Sequence, residues 1–574
     1  MPVDFLSLLD ETNSIKNEET GEIILISEKF QTEGDFELKT PCKISSKCNT
    51  VIISDHFEIA SHSVSIDNIA FETSIHVVDS DNFQITNCTC KKGKLLDGAL
   101  YFYNCKSVYI SHVTITETDN IPGIYITSNC TVSADNLNIY GLSETLLVCN
   151  TCSNLYIKDS VLHHTKANAI YISGKSYIEI RNCSLYDTEY PAIFISQSTC
   201  RIEDNDIKNV QQNGISLNTA KSFVVCRNKI TDVNGSAIAV LDDSSGIANR
   251  NIISKVGGNG IYVCQNSTVK AYKNIINDNR FPGIAILMKS NAKLYKNKIS
   301  QIVYSGICVR GARDVKILNS DISNVQECGI SISDTKKCVV KNNNISNCKI
   351  SSVEVYNKSK AYIENNNIKN IGECAFLVFT SAYMKAENNT VKDVGNAMVK
   401  LIYKGGGDFI NNRIENCPNQ MNGKTSSLYL LSGNGNFNNI TNDSTRLTDS
   451  IIFEEPYVEN DSTLCLKCHK KPRDCYLLDC SHKVYCTECA ELAKKNNELC
   501  PLCRFPIEKV TPGFTTSNDS MCVICFEKPA DCIVVPCGHM GFCEHCLNHW
   551  YRTNKKCPVC RAEPSCYKKI ISDI

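Results

Sequence analysis

Residues 251–273 read NIISKVGGNGIYVCQNSTVKAYK, and residues 274–296 read NIINDNRFPGIAILMKSNAKLYK. Laid one over the other, both lines open on asparagine, carry isoleucine two places later, and hold a glycine before an apolar-x-apolar run. The asparagine recurs at Asn205, Asn228, Asn251, Asn274 and Asn297, then at Asn343, Asn366, Asn389 and Asn412, always 23 apart except where Ser320 takes one place. An aliphatic follows each two residues on: Ile207, Ile230, Ile253, Ile276, Ile299, Ile322, Ile345, Ile368, Val391, Ile414. The small residue before apolar-x-apolar keeps the same beat from Gly123 through Ala169, Ala192, Gly214, Ala237, Gly260, Gly283 and Gly306 to Gly329, with one slip to 22 after Ala192. A fixed period of this length marks a stacked repeat.

Within a unit the runs are short, alternate in polarity and end at Asn, Gly, Asp or Ser, and no helical period survives. Twenty-three residues suit one coil of three short strands and three turns. Stacked coils then pair each strand in parallel with its copy about 4.8 Å away, and alternate residues fill a narrow core. Asparagine is expected at the turn because it tolerates left-handed backbone angles. Its amides, stacked in a column, bond from coil to coil. This combination resembles the right-handed parallel β-helix, the family that includes pectate lyases, polygalacturonases and the carbohydrate-binding and sugar hydrolase repeats.

Composition narrows the function. A net charge of -1 argues against a general binder of nucleic acid or membrane surface. No apolar run approaches the roughly 18 to 20 residues of a membrane span. Met1 to Asn17 is acidic and lacks a basic stretch followed by an apolar one. Secretion is therefore not expected, and the cytoplasm is, with the nucleus left open. Cysteine stands out at 35. Eighteen fall before Pro418, several in place of a strand apolar, such as Cys264 and Cys308. A disulfide framework is one reading; buried reduced thiols acting as small hydrophobes are the expected one. Triplets such as Asn87-Cys-Thr are then chance products of an asparagine-rich sequence.

In chain order, residues 1–20 are expected to cap the solenoid with a short amphipathic helix, Asp4 to Leu9. Residues 21–445 form the β-helix, with Leu428 to Leu430 and Asn438 to Ile440 in a last coil; 446–462 are a linker. Its enzyme relatives use clustered carboxylates. Here Asp242-Asp243 is the one such pair and reads as a solvated turn, and His163-His164 reads as turn or face.

Residues 463–506 and 520–564 are chemically specific, with a linker at 507–519 and a tail at 565–574. Cys465, Cys468, Cys480, His482, Cys486, Cys489, Cys500 and Cys503 make one array. Cys522, Cys525, Cys537, His539, Cys543, Cys546, Cys557 and Cys560 make another, every position offset by 57. Seven cysteines and one histidine suffice for two closed tetrahedral zinc sites per array, structural rather than catalytic. Modules this small are expected to need the metal to fold. The pattern resembles the C3HC4 RING finger of ubiquitin ligases.

The RING resemblance implies cross-braced ligands. Cys465, Cys468, Cys486 and Cys489 would hold one zinc and Cys480, His482, Cys500 and Cys503 a second. Cys522, Cys525, Cys543 and Cys546 would hold a third, and Cys537, His539, Cys557 and Cys560 a fourth. It also implies contacts to a ubiquitin-charged conjugating enzyme from Ile524, Trp550, Pro558 and Arg561, with no covalent intermediate on the RING. The first module has Lys467, Ala493 and Asp479 where the second has Ile524, Trp550 and Pro536. It is therefore expected to bind that enzyme weakly, or to pair with the second RING instead.

The expected fold is mainly β: a right-handed parallel β-helix solenoid with 23-residue coils, then two small zinc-bound RING domains. The expected function is that of a RING-type ubiquitin transferase whose β-helix holds a protein substrate, with no membrane or nucleic-acid partner. A non-catalytic scaffold and a glycan-active β-helix are the alternatives.

Overall fold

The computed structural model describes residues 2–91, 98–118, 120–151, 153–422, 429–432 and 434. Further on it describes 465–468, 471–477, 482–498, 507, 510–512, 514–515, 532–535, 539–543, 546–547, 550, 556–557 and 566–569. They belong to two compact units, Met1–Ile451 and Ile452–Ile574.

The first unit is a solenoid of about 17 turns. One coil consists of strands Asp206–Val210, Ile215–Asn218 and Ser222–Cys226. The next consists of Lys229–Val233, Ile238–Leu241 and Ser245–Asn249. Each strand pairs in parallel with its copy: Ile207 with Ile230, Ile215 with Ile238, Val224 with Ile247. The aliphatic column from Ile207 to Ile414 points inward and is buried at every rung. It belongs to one continuous core running from Phe5 to Ile414. Early coils vary in length: Phe36 pairs with Phe57 and Phe57 with Ile75, in coils shorter than 23, whereas Ile75 pairs with Leu100 and Leu100 with Ile124, in longer ones. The slip to 22 removes a residue from the turn after Ser196, so Tyr177 pairs with Thr199 and the core register survives.

The asparagine column is a ladder. Asn274 is fully buried. Its Nδ2 donates to the Ala248 carbonyl and to Asn297 Oδ1, both at 3.0 Å. Its Oδ1 accepts from the backbone N–H and from Nδ2 of Asn251, both at 3.0 Å. One side chain thus satisfies donors and acceptors in three coils. Tolerance of left-handed angles, the expected reason for asparagine at the turn, is not why it stands in the ladder. The left-handed residue is the one before the ladder: Asp204, Arg227, Arg250, Lys273, Lys296, Asn319, Asn342, Asn365, Asn388 and Asn411. Ladder asparagines are selected by hydrogen-bond count, not by backbone angle. Ser320 keeps half a rung. Its Oγ accepts from Asn297 N at 3.2 Å, but Asn297 Nδ2 loses its side-chain acceptor. Beyond Asn412 the column continues to Asn434, at 2.9 and 3.1 Å.

A second ladder, of serines, was not foreseen. Ser153 N–H donates to Ser176 Oγ and Ser176 N–H to Ser198 Oγ, each at 3.2 Å. Ser244, Ser267 and Ser290 repeat the arrangement at 3.2 Å.

Asn274→Ala is expected to cost about 3 kcal/mol, because it strands buried groups on both neighbouring coils. Ser320→Asn is expected to add about 1 kcal/mol by restoring the missing rung. Urea midpoints followed by far-UV circular dichroism check both, and equal midpoints would contradict the ladder's role.

The small residue before each second strand has a steric cause. A Cβ on Gly306 would lie 2.6 Å from Ile322 Cγ2 and 2.7 Å from the Gly329 carbonyl. Gly306→Val is expected to destabilise by about 3 kcal/mol, read as a lowered thermal midpoint.

The N-terminal helix expected over Asp4 to Leu9 is instead a single 3-10 turn, Phe5–Leu8, between strands Val3–Asp4 and Ser14–Lys16. Val3–Asp4 pairs with Phe36–Glu37, and Ser14–Lys16 pairs antiparallel with Ile23–Leu25. Both strands of the region expected to be a helical cap therefore belong to the sheets. Phe5 plugs the core end, 5.4 Å from both Phe30 and Phe36. At the other end Tyr429–Ser432 pairs with Gly407–Ile410 in a last coil. Asn438 to Ile440 and the expected linker 446–462 lie outside the described residues.

In the second unit, Cys475–Leu477 pairs antiparallel with His482–Tyr485 and with Val510–Pro512. Cys532–Val535 does the same with His539–Phe542 and Cys566–Lys569. The offset of 57 thus extends past the last ligand of each array. The boundaries expected at 506 and 564 stop short of these third strands, and Ile507 is already buried in the first module's core. Nor is 507–519 simply a tether, since Phe514–Thr515 pairs with His539–Met540 of the second module.

Candidate metal centre and docking surface

The first hairpin delivers its second strand into helix Thr487–Lys495. Asp474 fixes that junction: its Oδ1 accepts from Thr487 N at 2.6 Å and from Thr487 Oγ1 at 2.9 Å. Cys486 precedes the helix and Cys489 sits in its first turn, one turn apart on one side. Cys465 and Cys468 come from the opposite loop. The four sulfurs all lie within 4.8 Å of one another. Cys468 Sγ and Cys486 Sγ are 3.9 Å apart. Sulfurs at about 2.3 Å from a tetrahedral zinc stand about 3.8 Å from each other, so the cluster fits that ion. Desolvation, reinforced by the neighbouring thiols, pushes Cys489 up to about 12. A cation among the four sulfurs would favour their thiolate forms.

Cys543 and Cys546 pack together, and Cys557 is buried with Cys532, Val534, Phe542 and Leu547. His482 and His539 begin the second strand of each hairpin. Cys480, Cys500, Cys503, Cys522, Cys525, Cys537, Cys560, Ile524, Pro558 and Arg561 lie outside the described residues. Cys475 and Cys532 occupy equivalent core positions, both fully buried.

Trp550 is half-buried, and its Nε1 donates to the Lys556 carbonyl at 2.8 Å. That bond ties the tryptophan to the residue before Cys557. The equivalent residue in the first module, Ala493, is fully buried in the core. Lys467, equivalent to Ile524, is held by Glu498 at 2.6 and 2.7 Å. Lys555 stands at the matching place in the second module, so Glu498 has no acidic counterpart there. The sequence reading missed this pair; comparing non-ligand positions across the offset flags Glu498 against Lys555 but does not give its partner.

On the solenoid, Asp242 and Asp243 occupy a left-handed turn. Asn218 Nδ2 donates to Asp242 at 3.2 Å, and Asn266 Nδ2 donates to Asp243. His163 stacks between Tyr140 and Tyr186, at 5.1 and 4.5 Å. Burial first, and His164 second, lower its pKa. His164 Nε2 lies 3.1 Å from Asp187 beside an open groove of about 640 Å³. All seventeen described cysteines of the solenoid are free, and burial pushes Cys88, Cys183 and Cys200 up to about 12.

The family model "Right handed beta helix region" matches residues 49–190, 122–268, 168–313, 236–391 and 305–450. "Zinc finger, C3HC4 type (RING finger)" matches 461–510 and 518–566. Among characterised proteins, the E3 ubiquitin-protein ligase APD4 of Arabidopsis thaliana is 44% identical over 54 residues, 9% of this chain and 14% of that protein. The E3 ubiquitin-protein ligase NEURL3 of Homo sapiens is 43% identical over 56 residues, 10% of this chain and 19% of that protein. These likenesses cover the RING portion alone. A crystal structure of a periplasmic alginate epimerase AlgG variant overlays 65% of this chain and 79% of its own, at 11% identity and a TM-score of 0.30.

Proposed function

This chain belongs to the right-handed β-helix family and carries two C3HC4 RING fingers, and from that premise we propose that it is a ubiquitin ligase. The observation that carries the proposal is the doubled eight-ligand array, with four thiols of the first copy gathered at zinc-binding separation.

Four zinc ions would be held, two per module. Cys465, Cys468, Cys486 and Cys489 would take one, and Cys480, His482, Cys500 and Cys503 another. Cys522, Cys525, Cys543 and Cys546 would take the third, and Cys537, His539, Cys557 and Cys560 the fourth. The metal supplies folding energy here, not reactivity. The second RING recruits a ubiquitin-charged conjugating enzyme through Ile524, Trp550, Pro558 and Arg561, and acts by orienting the thioester for attack. The first RING contributes little to transfer, because Lys467 is an ion pair where an apolar contact is needed. It braces its neighbour instead, a role favoured by the strands at Val510–Pro512 and Phe514–Thr515 on either side of residue 513.

The solenoid holds the protein substrate. Free, buried solenoid thiols support a reducing compartment, the cytoplasm.

The test is ubiquitin discharge by the zinc-loaded full chain, with activating enzyme, ATP and a broad panel of conjugating enzymes. Discharge and autoubiquitination are the expected result. A folded, zinc-loaded protein inert across the panel would replace the ligase reading with a scaffold.

A further inference from the structure

The third strand of each coil turns its first, third and fifth residues outward. In three successive coils the middle one is lysine. Lys270, Lys293 and Lys316 stand opposite one another in register, and all three are exposed. A file of cations therefore runs along the solenoid axis at about 4.8 Å per step. Lys273 and Lys296 stand exposed beside it, at the corner that follows the strand. Tyr272 and Tyr295 pair in register between the two files, and Lys296 lies 5.2 Å from the Tyr295 ring.

Like charges directly opposite in a sheet repel. Elsewhere on this face the protein neutralises them. Arg181 meets Glu179 at 3.0 Å, and Arg201 meets Glu203 at 2.7 Å. Lys341 meets Glu364 at 2.9 Å, and Lys385 meets Glu387 at 2.8 Å. Among the described residues, none of the five lysines between these zones reaches a carboxylate within 4.0 Å. Five exposed lysines thus share this stretch with Asp314 as the one acidic residue at the outward positions of the three strands, in a chain whose net charge is -1.

The geometry points to this lysine file as the docking site for an acidic polypeptide segment laid along the solenoid axis. An extended segment advances about 3.3 Å per residue, so a run of aspartate and glutamate offers a carboxylate to a lysine at every coil. Charge complementarity supplies the attraction, and the tyrosines give the segment's backbone and stems an apolar bed. Two observations favour a polypeptide over a nucleic acid. The sequence pI is 6.8, whereas nucleic-acid-binding domains are basic overall. The cations are lysines, which lack the planar fork that grips phosphate in pairs. The choice also rests on the ligase reading, which requires a protein partner on the solenoid.

Fluorescence anisotropy of the zinc-loaded full chain tests it, with a fluorescein-labelled oligoglutamate of about eight residues, long enough to pass all three lysines. The wild type should bind at low salt and release the peptide as salt rises. The triple variant Lys270→Gln, Lys293→Gln, Lys316→Gln should bind about tenfold more weakly. Its urea midpoint should be unchanged or raised, because the mutual repulsion is gone. Three results would each overturn the proposal: no binding by the wild type, equal affinity in the variant, or tighter binding of a labelled oligothymidylate through the same lysines. The assay contains no conjugating enzyme, so its failure leaves the ligase reading to the discharge assay, and the reverse also holds.

Discussion

Chelating zinc is expected to unfold residues 452–574 while the solenoid stands. The physical reason is the shortness of the two modules. The first module gathers its strands and helix around Leu477, Val484, Ala490, Ala493 and Ile507, besides its cysteines and Tyr485. Among its described residues the second has Val534, Phe542 and Leu547 beside Cys532 and Cys557. Chains as short as 463–506 and 520–564 bury too little apolar surface to offset their own conformational entropy. Metal binding at structural zinc sites is worth about 10 kcal/mol or more, and that energy is folding energy. The solenoid has a continuous apolar core and two hydrogen-bonded ladders, none of which involves a metal ligand. The chain contains one tryptophan, Trp550, in the second module. Its emission should shift to the red on chelation, as the bond to Lys556 breaks and the ring meets water. The far-UV β-signal should persist. Unchanged emission, with zinc shown to be gone by elemental analysis, would remove the basis for both RING assignments. A narrower variant, Cys465→Ser with Cys486→Ser, should lower the bound zinc by one or two ions and leave Trp550 emission as it was.

The second large effect concerns the asymmetry of the two modules. Trp550→Ala and Ile524→Ala should each slow ubiquitin discharge by about 30-fold, the equivalent of about 2 kcal/mol at an interface hot spot. Lys467→Ala should change it less than about twofold. Lys467 is already neutralised by Glu498, in a pair whose side chains keep 27% and 35% of their exposure. Such partly exposed pairs contribute little, so the folding cost of losing it is also small. Trp550→Ala removes a structural hydrogen bond as well as a contact, so zinc content and thermal midpoint must accompany the rate. Trp550→Phe separates the two: it loses the bond to Lys556 and keeps most of the apolar face. Equal losses from Lys467→Ala and Ile524→Ala would refute the asymmetry. Lys467→Ile alone should not awaken the first module. Ala493 is fully buried where Trp550 is half-buried, so that module has no room for the missing aromatic.

What was legible in the sequence follows from how a solenoid is built. Residue i touches residue i+23, so each packing requirement is written again one period later. Ile207 to Ile414 could be read as one column because every member meets its own copy. The zinc arrays were legible for a related reason: ligand chemistry admits few residue types, and the offset of 57 repeats all eight. The serine ladder was harder to see. Serine is common in every turn, so Ser153, Ser176 and Ser198 carry no distinctive signal until their hydroxyls are found in line.

By itself the sequence determined the parallel coil, its inward aliphatics, its stacked amides and the order of the metal ligands. These are nearest-neighbour requirements between equivalent residues or demands of coordination chemistry, and both leave a periodic or chemically exclusive trace. The tertiary structure alone decided the rest. It set the left-handed angle one residue before the ladder, the Phe5 plug, the third strands Val510–Pro512 and Cys566–Lys569, and the grip of Glu498 on Lys467. The plug, the third-strand pairings and the ion pair join residues that are not copies of one another, through space; the left-handed angle repeats every 23 residues but falls on Asp, Arg, Lys and Asn alike, so no single residue type marks it.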